Sequence, residues 1–84
     1  MSDLAALIGT IERNLPSDFQ WLVRSVDHTT GLYFANICHN ETAAKSRDKL
    51  WARTHVFQAH GSTAYSALQA SWILFQAVWS VDNA

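Results

Sequence analysis

Cys38 and His39 stand side by side in the run LYFANICHN, a thiol beside an imidazole, and such a pair is the first place to look for a nucleophile and its base. The run is rich in aromatic and β-branched residues, the composition of a strand, and successive side chains of a strand point to opposite faces. No dyad is therefore expected, and Cys38 reads as a buried, inert thiol. His55 and His60 have the spacing of one half of a zinc site, which Cys38, His39 or His28 could complete. With one cysteine and no Cys-x-x-Cys pair, they read instead as partly exposed histidines at strand ends, and no metal or other cofactor is expected.

The second cluster is basic. Lys45, Arg47, Lys49 and Arg53 lie within nine positions and flank Trp51, a composition that could grip phosphates and stack a base. Glu41 and Asp48 dilute it, and nothing elsewhere in the chain extends it, so nucleic acid is not the expected partner. A solvated loop or a contact with an acidic protein surface is left, and these five residues are the candidate partner-binding set. Glycine-rich phosphate loops, a G-x-S-x-G elbow and paired carboxylates are absent, and no catalytic residues are assigned.

The elements that must hold these residues come from 84 positions, enough for one domain over residues 1–84. A chain this short buries only about 60–65% of its extended surface, so a subunit partner would help it. Net charge is −1, with 15% charged residues and four tryptophans, a balance that argues against disorder and against a nucleic-acid footprint. The asymmetry is mild: residues 1–27 are net acidic and residues 40–60 net basic. The single cysteine suits a reducing cytoplasm, and the start MSDLAALIGTIERN lacks the basic opening and cleavage site of a signal peptide.

Leu4, Leu7, Ile8, Ile11 and Leu15 recur on one helical face, capped by Ser2 and stopped before Pro16. FQWLVRSVD (19–27) and LYFANICH (32–39) around HTTG read as a hairpin. On its second strand, Leu32, Phe34, Asn36 and Cys38 share one face and Tyr33, Ala35, Ile37 and His39 the other. One is expected against the helices, and the second, still carrying Tyr33 and Ile37, short of free solvation. Residues 40–60 are open between a loop leading to a strand at 51–59 and a helix capped by Asn40, with Leu50, Trp51, Thr54 and Phe57 inward.

From Thr54 to Val81 there is no charged residue. Ser62 or Thr63 caps the last helix, on which Leu68, Trp72, Phe75 and Trp79 form a stripe that Leu74, Val78 and Val81 broaden. Its length would suit a membrane span. Its glutamines and serines, and the need to cover a sheet, favour packing on that sheet on one side and meeting a partner subunit on the other. Trp72, Phe75 and Trp79 are the candidate oligomer interface, and Trp21, Trp51 and Tyr33 are aromatics that could anchor a partner.

The closing segment FQAHGSTAYSALQASWILFQAV resembles small phage and prophage proteins of α-β-α sandwich type, through Ala59, Thr63, Ala64, Ala67, Leu68 and Ala70. The resemblance spans roughly residues 4 to 79 and brings no catalytic residues. It implies a mobile-element origin and inhibition of a host defence complex, as by anti-CRISPR proteins, although the dense negative charge of nucleic-acid mimics is missing. The expected protein is thus an α+β domain: an N-terminal helix, a two- or three-stranded antiparallel sheet and a C-terminal helix. It binds a host complex in the cytoplasm without catalysis, or alternatively assembles as a homodimer through its last helix.

Overall fold

The computed structural model describes residues 3–27, 29 and 31–79. The expected cap Ser2, His28 of the hairpin turn, and Val81 of the broadened stripe lie outside them. The order is α1 (Asp3–Asn14), β1 (Phe19–Asp27), β2 (Leu32–His39), α2 (Thr42–Lys45), α3 (Lys49–His55), β3 (Val56–Gly61) and α4 (Ala64–Trp79). The fold is α+β, with a three-stranded antiparallel sheet in the order β1-β2-β3.

Local chemistry accounts for most boundaries. The Leu15 N–H still donates to the Ile11 carbonyl at 2.7 Å, and Pro16, with no N–H to continue, ends α1. The hairpin turns through Gly31 at φ 71°, a left-handed conformation that glycine adopts without a Cβ penalty. At α4 the cap is Thr63: its Oγ1 accepts from Ser66 N–H at 3.0 Å, and Ser66 Oγ accepts in return from Thr63 N–H at 3.1 Å.

Segment 40–60 combines both expected alternatives. Asp48, not Asn40, caps a helix, its carboxylate accepting from the Leu50 and Trp51 N–H groups. Eight residues later the backbone turns extended at Val56 (φ −130°, ψ 121°), where β-branched and aromatic residues take over as β3. The Asn40 side chain instead donates to the Ser17 carbonyl at 3.1 Å, holding the end of β2 to the turn before β1.

The core is Ile11 of α1, Phe19, Ala35, Ile37 and Phe57 of the sheet, and Ala67, Leu68, Trp72 and Phe75 of α4. Both long helices therefore lie on the Tyr33/Ala35/Ile37 face of β2, the reverse of the face first expected to carry them. Ala35 and Ala67 are fully buried, and two small residues let α4 approach the sheet closely. Ser71, buried with them, donates its Oγ–H to the Phe57 carbonyl at 2.5 Å. The sandwich of the resemblance implies a helix layer on each face. Here the outer face is flanked only at one end, where α2 and α3 sit, and Leu22, Val26 and Leu32 remain exposed on β1 and β2. Among the described residues, no helix is long and apolar enough to cross a membrane.

Candidate functional site

α3 closes the end of the sheet and shows a different chemistry in each direction. Toward the core side, Trp51 and His55 stack with ring centroids 4.2 Å apart and planes 1° from parallel. Phe19, His39 and Trp79 surround the His55 ring within 6.4 Å, and His55 Nδ1 lies 2.7 Å from the Trp51 carbonyl, so the Nδ1–H donates there. Trp51, expected to present an aromatic platform, thus has one ring face taken by His55, with the His39 ring edge-on to it.

Toward the sheet's outer face, Lys49, Ala52 and Arg53 occupy i, i+3 and i+4 and form one wall of a groove of about 540 Å³. Its floor is Val56, Asn36 and Gln58, the last two being direct cross-strand partners on β2 and β3. Thr42 and Ser46 form the opposite rim. No carboxylate lines the groove, and neither Lys49 nor Arg53 has an ion-pair partner among the described residues. Asn36 Oδ1 is closed off from solvent and has no hydrogen-bond partner among the described residues. An enclosed carbonyl oxygen left unpaired costs about 1–3 kcal/mol, so its placement on the groove floor is unfavourable for the fold alone.

Away from both, Leu50 points into solvent, 74% exposed, where the helical alternative had placed it inward. Arg47, Lys49 and Arg53, each within three positions of it along the chain, are exposed as well. Lys45 belongs to a different arrangement: its Nζ pairs with Glu41 at 2.8 Å, and that bonded ammonium holds the Glu41 carboxyl below the usual carboxylate range.

The remaining sequence candidates are dispersed. Cys38 is buried on the outer face of β2 and His39 turns to the core side, so thiol and imidazole are separated by the sheet. His60 packs on Phe34 of the outer face while His55 packs on Trp51, and no group of three His, Cys, Asp or Glu side chains that could hold a metal occurs among the described residues. Trp21 and Tyr33 are half-buried against the core. Trp72 (4% exposed) and Phe75 are inside the monomer and absent from its outer surface. Of that set only Trp79 reaches solvent, and its ring still packs on Phe19 and Phe75, while Ile73, Leu74 and Val78 are exposed on the rest of α4. Leu50, Asn36 and Gln58 were not legible as site residues: each is an isolated polar or apolar residue until the fold sets it beside the cations.

No family model matches the chain, and no curated protein or solved structure matches it either.

Proposed function

We propose that the protein works by contact with another protein, without catalysis, and that the α2–α3 end is the contact surface. One observation carries this reading: Leu50 stands out of α3 within three positions of the exposed cations Arg47, Lys49 and Arg53, none of which has an ion-pair partner among the described residues. Contact energy concentrates in an apolar residue that a partner fully covers, while the surrounding charges set approach and register. The complementary surface is an apolar recess with an acidic rim. The resemblance to small phage proteins supplies the setting, a host defence complex such as a CRISPR effector in the host cytoplasm.

The test is plasmid transformation of cells whose CRISPR system targets that plasmid. Expression of the protein restores transformation, while L50D and the R47A/R53A double variant fold and melt as the parent does and restore nothing. Full activity in both variants would remove α2–α3 from the account, and no rescue by the parent would remove this class of target.

The outer face of α4 supports a second reading, self-assembly. Ile73 is 57% exposed, with Leu74 and Val78 beside it, and α4 carries no charge to oppose a second copy. Light scattering over a range of concentrations would then give a dimer that I73E converts to a folded monomer. W72E, which places a carboxylate in the core, unfolds the chain instead and cannot serve as an interface probe. A parent protein that stays monomeric throughout ends this reading.

A further inference from the structure

The groove between α3 and the outer face of β2 and β3 shares Lys49 and Arg53 with the charged rim of that contact and adds a polar floor, Asn36, Gln58 and Ser46, that partner contact through Leu50 does not use. We propose that it binds a small organic anion, a phosphate or carboxylate carried on a hydroxyl-bearing body of sugar size.

Four features lead to this class. Lys49 and Arg53 project from one face of α3 into a groove without a carboxylate, and the planar guanidinium pairs with phosphate and carboxylate alike. Asn36 Oδ1, closed off at the floor and without a hydrogen-bond partner among the described residues, is an acceptor that an anionic headgroup has no proton for, and a ligand reaches it when the Asn36 amide turns toward the groove. The donor must come from the rest of the ligand, which a hydroxyl supplies. The volume of about 540 Å³ lies within the range of small-molecule sites and far exceeds what a lone inorganic ion fills. None of the described residues lining the groove is aromatic, so a nucleobase would find no stacking platform among them, whereas the Gln58 amide and the Ser46 hydroxyl can answer further hydroxyls. Ala52 and Val56 leave a small apolar strip against which a carbon skeleton can lie.

Nuclear magnetic resonance of the ¹⁵N-labelled chain tests this by titration with ribose 5-phosphate and with gluconate, and with ribose and inorganic phosphate as the separate parts. The expected result is saturable shifts of the Asn36 and Gln58 side-chain amides and of the 49–53 backbone amides. At least one of the two compounds binds about tenfold or more tightly than either part, and which one does so identifies the headgroup. R53Q weakens binding about tenfold or more by removing the charged fork, and Q58A shifts the preference among hydroxylated ligands. Both positions are exposed, so both variants are expected to fold.

The proposal is overturned if no saturable shift appears up to about 10 mM ligand, a concentration that would reveal even millimolar affinity. It is equally overturned if inorganic phosphate alone binds as tightly, or if R53Q leaves affinity unchanged. L50D separates the two ideas, because Leu50 lies outside the groove: it abolishes partner contact and leaves sugar-anion binding intact.

Discussion

The Trp79 indole N–H donates to the Thr54 carbonyl oxygen at 2.6 Å, tying the last turn of α4 to the last turn of α3. α3 has only seven residues, too few to be stable on its own, so its position depends on such tertiary ties. Trp79→Phe keeps a ring against Phe19 and removes the donor. The expected cost is about 0.5–1.5 kcal/mol, with amide exchange accelerating in 49–55 more than in β1. Uniform acceleration over the whole chain would mean that the bond does not specifically hold α3.

Gly31 and Gly61 are both expected to resist alanine, for different reasons. At Gly31 a Cβ meets no atom of the described residues within 4 Å, but φ is +71°, so Gly31→Ala costs about 1–2 kcal/mol, and Gly31→Asn costs less. At Gly61 a Cβ would strike the Ser66 hydroxyl and come within 2.7 Å of the Ala67 backbone nitrogen, at the start of α4. The hydroxyl can turn away and the helix backbone cannot, so Gly61→Ala and Gly61→Asn are both destabilising, by about 1–3 kcal/mol. Denaturant midpoints of the four variants check this, and rescue by Asn at Gly61 would contradict it.

Asn36→Val replaces the unpartnered amide with a strand-forming apolar side chain of similar breadth. The variant is expected to be more stable by about 1–2 kcal/mol, because the enclosed oxygen no longer lacks a partner. The gain comes with loss of sugar-anion binding, the usual exchange at a site kept for function. Chemical denaturation measures the first effect, and a stability loss would show that Asn36 is satisfied in the native protein.

Glu41 gives a pH dependence with a definite sign. Its folded pKa is lowered by the hydrogen bond and charge of Lys45, so the pair's contribution is present above the unfolded carboxylate range. It fades as pH falls through the lowered folded value. Both side chains are half exposed, so the effect is small and decreases with salt. Lys45→Ala returns the Glu41 carboxyl to its ordinary range, which a ¹³C titration of that carboxyl reads directly. An unmoved titration would mean that Lys45 is not its partner in solution.

What the amino-acid sequence determined by itself was everything set by neighbours a few positions apart. The period of Leu4, Leu7, Ile8 and Ile11 placed α1, the break at Pro16 ended it, and Gly31 closed the hairpin. Leu68, Trp72 and Phe75 marked the apolar stripe of α4, and Ser62 or Thr63 its cap; that Trp72 and Phe75 fill the core and not a subunit interface, and that Thr63 is the cap, came from the fold. Helical period, capping and turn geometry are short-range, so they survive in the one-dimensional order of residues. The basic set 45–53 was visible as a cluster for the same reason.

Only the tertiary structure chose between the two faces of β2, because Leu32, Phe34 and Cys38 make one face as apolar as Tyr33, Ala35 and Ile37 make the other. Close approach of α4 at fully buried Ala35 and Ala67 decided it. That choice left the outer face free, turned Lys49 and Arg53 toward Asn36 and Gln58, and sent Leu50 out to solvent. Asn36 and Arg53 are seventeen positions apart on different elements, and no local pattern encodes their meeting. It follows from the packing of α3 against the sheet end, where Trp51, His55 and Trp79 hold the helix in place.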